Sequence, residues 1–215
     1  MNEVLFFIET LLVVGFAFWA LHLGKAALTG WVAVQALIAN LFVLKQISLF
    51  GFEVTASDVF AIGSLLGLNF LQEYFSKEDA KKATWICFFF MVFFTFASQI
   101  HLLYVPSSFD TTHAAFESIL SLSPRLLIAS MSVFFVVQQV DIRFFAFLQK
   151  SMPGASFAIR AGISLVVSQF LDTFLFSFAG LYGVVASVFD IILLSYLIKL
   201  IVVFCFTVCI RIAKS

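Results

Sequence analysis

Seven apolar runs fill almost the whole chain, at approximately residues 4–23, 29–49, 54–75, 83–105, 124–148, 157–180 and 184–210. They constrain the fold more than any other feature. Each run is long enough for a helix to cross a hydrocarbon core of about 30 Å, some of them tilted. The runs are continuous rather than alternating with period two, which selects helices over a barrel. With 63% of its 215 residues hydrophobic and 11% charged, the chain leaves too few residues between spans for a separate soluble domain. The first run carries Glu3 and Glu9 but no basic start, and no small-residue cleavage site follows it clearly, so it reads as a retained helix rather than a signal peptide. The fold class predicted is all-α, a polytopic transmembrane bundle of seven helices forming one domain over 1–215.

The connections orient the bundle. Lys25 follows the first run, Lys77, Lys81 and Lys82 follow the third, Lys150 follows the fifth, and Arg211 and Lys214 lie in the tail. The alternate loops, around 50–53, 106–123 and 181–183, hold no Lys or Arg. Because basic residues stay on the cytoplasmic side of short loops, the N-terminus is expected outside and the C-terminus inside. The longest loop, about 106–123, reads as a solvated connector. Setting the first run aside leaves two triplets of opposite orientation, a parity that permits an inverted three-helix repeat.

Ionisable groups within the runs are expensive in hydrocarbon, so they face the bundle interior or reach the interface. They are Lys45, Asp58, Glu73, Arg125, Asp141, Arg143, Arg160, Asp172, Asp190 and Lys199. Glu73, Arg143 and Arg160 lie near the cytoplasmic edge, and Lys45, Asp58 and Arg125 near the outer edge, where snorkelling is open to them. Asp172 and Lys199 lie deepest. Gln138 and Asp141 are three residues apart, as are Gln169 and Asp172, so each amide shares a helix face with a carboxylate. Two such helices suit a polar cavity in which carboxylate and amide meet the donors and carbonyl of a guanine-like edge. The same groups also suit a purely structural role, as interhelical hydrogen bonds. Sequence pattern leaves both readings open.

Several chemistries are excluded or disfavoured. Zero formal net charge, 12 basic against 12 acidic residues, offers no field for nucleic acid. The chain has no Gly-x-x-x-x-Gly-Lys-Ser/Thr phosphate loop, no Gly-x-Ser-x-Gly elbow and no His-Glu-x-x-His spacing. Its three Cys, at 87, 205 and 209, suggest neither a disulfide framework nor a zinc site. No cofactor, no metal and no enzymatic activity are expected.

Four stretches carry a family resemblance. The first is Asn40-Leu-Phe-Val-Leu-Lys45 followed by Leu49-Phe50-Gly51. The second is Glu73-Tyr74 followed by Ala80-Lys81-Lys82-Ala83. The third is Pro124-Arg125, Ala129-Ser130, Gln138 and Asp141-Ile142. The fourth is Arg160, Ser164, Ser168-Gln169-Phe170-Leu171-Asp172-Thr173 and Phe176, with Lys199 following in Tyr196-Leu-Ile-Lys199. In this order, over about 32–200, they resemble the queuosine precursor transporter family, also called the vitamin uptake transporter family. The resemblance makes 1–27 an additional N-terminal helix and 28–210 the family core. Departures are Asn69 where an acid is usual, Asp58 near the start of that helix, Phe75-Ser76 after the Glu-Tyr pair, Ala161-Gly162 where two Asn are usual, Leu165 for Thr, and no Pro around Val208.

The resemblance implies a carrier in the bacterial inner membrane that imports 7-deazaguanine bases, prequeuosine nucleobases or queuine, for salvage into tRNA queuosine. It places Asn40, Gln138, Asp141, Gln169 and Asp172 at the substrate, and Lys45, Asp58, Glu73, Arg125, Arg160 and Lys199 as ion-pair partners or gate. The partners implied are a small nucleobase and the lipid bilayer, with no nucleic acid; the oligomeric state is left open, a homodimer included. Two other readings compete. Lys199 in the last run suits a seven-helix retinal-type photoreceptor or pump, with Asp172 or Asp190 as counter-ion. A substrate-binding membrane subunit for another vitamin-like small molecule, working with a separate ATPase, is the other.

Overall fold

The computed structural model describes residues 1–43, 45–121, 124–181 and 188–213. The side chains at 52–53, 124–127, 181, 188, 190–191, 194 and 212–213 lie outside the described set, and with them the candidates Arg125 and Asp190; so do the loop at 182–187 and residues 214–215. The elements follow as α1 (Asn2–Leu23), α2 (Lys25–Phe42), β1 (Gln46–Leu49), β2 (Phe52–Thr55), α3 (Asp58–Tyr74), α4 (Lys77–Leu102), α5 (His113–Leu120), α6 (Pro124–Ser151), α7 (Phe157–Phe176) and α8 (Val188–Ala213). Five of these described helices, α1, α2, α4, α6 and α7, are long and apolar enough to cross a membrane. A helical bundle is therefore what the sequence predicts and what the chain forms.

Sequence chemistry explains where the helices stop. Gly24 adopts φ +98°, so one residue turns α1 directly into α2. Ser76 caps α4 by accepting the Asp79 amide at 3.1 Å, and Ser156 caps α7 by accepting the Ile159 amide at 3.4 Å.

Two expected boundaries are corrected. The run 29–49 does not continue as helix: α2 ends at Phe42, and 46–55 fold into an antiparallel hairpin with Leu49 opposite Phe52 and Gln46 opposite Thr55. The all-α expectation thus misses one short sheet. The turn residues Phe50 and Gly51 both have positive φ, 52° and 84°, the handedness that matches strand twist in a two-residue turn. Leu49 and Val54 are buried while Gln46 and Ser48 face outward, a period of two inside an apolar stretch. The hairpin is tied to α1: the Asn2 amide donates to the Ser48 carbonyl at 2.9 Å, and the Phe50 ring meets Phe6 and Phe7 edge-on. The loop at 106–123 also gains structure, since α5 forms within it and the Gln99 amide on α4 donates to the Leu120 carbonyl at 2.9 Å.

Helix α3 is the axis of the bundle. It packs against α1, α2, α4, α6, α7 and α8, and 14 of its 17 residues are buried. Small residues make this density attainable. A Cβ at Gly63 would lie 2.7 Å from Val13 Cγ1 on α1, and one at Gly67 would lie 2.9 Å from Val32 Cγ2 on α2. The pair is a Gly-x-x-x-Gly motif, which lets helices approach closely where no hydrophobic effect drives them together. Gly162 does the same on α7, where a Cβ would lie 2.7 Å from Thr207 Oγ1 on α8. Many of the 31 Phe face outward, as Phe89, Phe93 and Phe96 do along one face of α4. They are suited to lipid contact.

Candidate functional site

Along α7 the residues Arg160, Ser164, Ser168 and Asp172 recur every fourth position, so they form one stripe down a single face. At 1.5 Å per residue the stripe is about 18 Å long. Each step meets a partner on another helix.

At the hairpin end, the Lys199 ammonium on α8 donates to Asp172 Oδ2 at 2.7 Å and lies 3.8 Å from Asp58 Oδ1 on α3. Lys199 and Asp58 are buried; Asp172 is partly exposed. One ammonium thus serves two carboxylates from two helices, leaving a formal charge of −1 when all three are ionised. These residues form one side of a cavity of about 150 Å³ that also touches Asn40, Ser130, Thr173, Phe134 and Phe176. The Asn40 amide nitrogen donates to the Ala36 carbonyl at 2.9 Å and its oxygen accepts from Ser130 at 2.7 Å, which fixes the side-chain orientation. Phe134 and Phe176 supply the aromatic part of the cavity wall. Just beyond Phe176 the helix widens into a π-helical turn over Ser177–Leu181, and Ser177 reaches the same cavity. Such local widening frees the regular hydrogen-bond pattern at the rim of a polar site.

In the middle of the stripe, Asp141 on α6 is fully buried and accepts hydrogen bonds from Ser164 at 2.6 Å and Ser168 at 2.7 Å. Gln138, one turn away, donates to Ser64 on α3 at 3.3 Å. Asn69 and Gln169 are buried here with side-chain atoms that find no hydrogen-bond partner among the described residues. Buried amides without partners are costly, so a polar belt of this kind is suited to contacts made only in part of a working cycle.

At the opposite end, the Arg160 guanidinium donates to Glu73 at 2.5 Å and to the Ala155 carbonyl at 2.7 Å. Gln149 on α6 donates to the other Glu73 oxygen at 3.1 Å. This latch joins α3, α6 and α7 and the α6–α7 turn. Arg160→Ala leaves Glu73 largely buried without its cation and is expected to cost about 3 kcal/mol, while Arg160→Lys keeps charge but loses the fork and recovers part of it. Thermal unfolding of the purified variants in detergent measures the order.

Among the sequence-derived candidates, Asn40, Asp58, Asp172 and Lys199 meet at the cavity. Gln138 and Asp141 sit one layer inward with Ser64, Ser164 and Ser168, Gln169 is buried on the same helix as Asp172, and Glu73 pairs with Arg160. Lys45 is exposed at the foot of the hairpin, its carbonyl accepting from the Ala56 amide at 2.9 Å. Sequence reasoning gave no site role to Ser130, Phe134, Phe176 or Ser64. Ser130 and Phe134 precede Gln138 at four-residue spacing, a signal that extends the polar face of α6 toward the cavity.

Known sequences match most of the chain. The model of the family described as "putative vitamin uptake transporter" matches residues 55–213, well over half of the chain. A Bacillus subtilis (strain 168) protein named "Probable queuosine precursor transporter" is 33% identical over 181 residues, covering 82% of this chain and 78% of that protein. No solved structure matches. Neither match supports a retinal-type role for Lys199. With its apolar helices and this likeness the protein is a multi-pass membrane transporter and not an enzyme, and the chain belongs to the vitamin uptake transporter family.

Proposed function

We propose that the protein imports queuosine precursors, 7-deazaguanine bases, across the bacterial inner membrane. The observation that carries this reading is the cavity in which carboxylates, a fixed amide and two phenyl rings converge. A flat base with N–H donors along one edge is matched by Asp172 and Asp58 as acceptors and by Asn40 as donor and acceptor. Phe134 and Phe176 take its face. The 33% identity to the Bacillus subtilis protein supports the same substrate class.

In this reading α1–α4 and α6–α8 are the seven crossings, with the N-terminus outside and the C-terminus in the cytoplasm. The hairpin then lies outside, the cavity beneath it faces outward, and the Arg160–Glu73 latch closes the cytoplasmic end beside Lys77, Lys81, Lys82 and Lys150. Transport alternates by breaking the latch while the outer ion cluster draws together, with α2–α4 and α6–α8 moving as two three-helix units. Gln138 and Gln169 offer amides along the way.

Expression in cells that neither make nor import the base should restore queuosine in tRNA at low external supply of a prequeuosine base. Unmodified tRNA despite demonstrated membrane expression would overturn the substrate assignment.

A further inference from the structure

Among the described carboxylates of α3, α6 and α7, Asp141 alone has no ion-pair partner. We propose that Asp141, Ser164 and Ser168 form the binding site for the monovalent cation, a proton or a sodium ion, that drives uptake. The inference rests on the protein being a transporter but not on the identity of its organic substrate.

The surroundings of Asp141 are unusual for a carboxylate. It is 0% exposed, both of its hydrogen bonds go to one oxygen, Oδ1, and Oδ2 has no partner among the described residues. The charges on the elements packed against α6 are engaged elsewhere. On α3 and α7, Glu73 pairs with Arg160, and Asp58 and Asp172 pair with Lys199 of α8. On α4, Glu78 pairs with Lys81 and Asp79 with Lys25, while Lys82 and His101 are exposed; Lys77, in the first turn, is partly exposed, and Cys87 faces Gln138. Arg143 and Lys150 of α6 itself are exposed. An ionised carboxylate at this depth with two neutral hydroxyls is not adequately compensated. A cation restores the balance. A proton on Oδ2 neutralises the acid outright, and a sodium ion takes the carboxylate and the serine oxygens as a hard-oxygen shell, each hydroxyl turning its hydrogen away.

The location also suits coupling. Ser164 and Ser168 lie on α7 midway between Arg160 of the latch and Asp172 of the cavity, so occupancy of Asp141 sets how α6 and α7 pack between the two ends. A charge change there acts on both ends through one helix.

The test uses the purified full chain without any base. In the sodium arm, radioactive sodium binds saturably, is displaced by sodium chloride but not by choline chloride, and is lost in Asp141→Asn and weakened at least tenfold in Ser164→Ala with Ser168→Ala. In the proton arm, infrared spectroscopy shows a protonated-carboxyl band at neutral pH that disappears in Asp141→Asn and survives the double serine change. If Asp141→Asn does not yield folded protein, Asp141→Glu, which moves the carboxyl by one methylene, must shift the band or lower the sodium affinity. No saturable sodium binding together with no carboxyl band that responds to these variants overturns the proposal. A positive result alongside failed base-dependent restoration of tRNA would reject the substrate assignment alone.

Discussion

Lys199→Ala should abolish uptake and destabilise the bundle, and its effect should shrink when Asp172 is also changed to Asn. Removing the ammonium leaves Asp58 and Asp172 facing the same vacated position with no cation between them. Breaking a buried ion pair from one side costs about 3–5 kcal/mol, and the lower end applies because the Asp172 side chain is 21% exposed. The double variant has one carboxylate fewer to strand, so its stability should recover by about 1–2 kcal/mol while uptake stays at background. Asp58→Asn is the milder single change, since it leaves the 2.7 Å Lys199–Asp172 pair intact and balanced. Thermal unfolding in detergent and uptake of labelled base in vesicles give both readouts. Equal stability of the single and double lysine variants would show that the three groups do not act as a unit.

Gly67→Leu should be at least as damaging to folding without touching the cavity. Its Cβ alone would sit 2.9 Å from Val32 Cγ2 and 3.1 Å from Trp31, so α2 and α3 must separate to admit a side chain. Overpacking a filled interface costs about 1–3 kcal/mol and more when backbone has to move. Gly63→Leu pushes on α1 in the same way. By contrast a Cβ at Gly15 or Gly30 meets nothing within 4 Å, so Gly15→Leu and Gly30→Leu should leave the protein monodisperse on size-exclusion chromatography. The contrast separates helix contact from a general intolerance of larger residues.

The long helices were legible because each lies in a long apolar run, whereas the short, exposed α5 was read as loop. The ionisable candidates were legible because hydrocarbon makes every one of them conspicuous. What the sequence hides is pairing. Asp58 and Lys199 are 141 positions apart, and nothing local says that α3 and α8 bring them within 3.8 Å. Asp58, Glu73 and Arg160 each read as residues able to reach an interface; folding gives them partners instead. The hairpin was lost for a different reason. Ile47, Leu49, Phe52 and Val54 keep the local hydropathy high enough to merge with the flanking runs, and Phe-Gly is a less familiar turn pair than Asn-Gly. The Gly63–Gly67 pair was visible in the sequence, but its use depends on which helices lie opposite.

The enclosure of α3 bears on how the chain is made. A segment walled by six other helices and carrying Asp58, Ser64, Asn69, Gln72 and Glu73 gains little from lipid when it leaves the insertion machinery alone. Helices α1 and α2 precede it in synthesis and present the surfaces that its two glycines fit. The emerging third helix is then expected to dock onto α1 and α2, which would give the N-terminal helix the part of a scaffold in biogenesis.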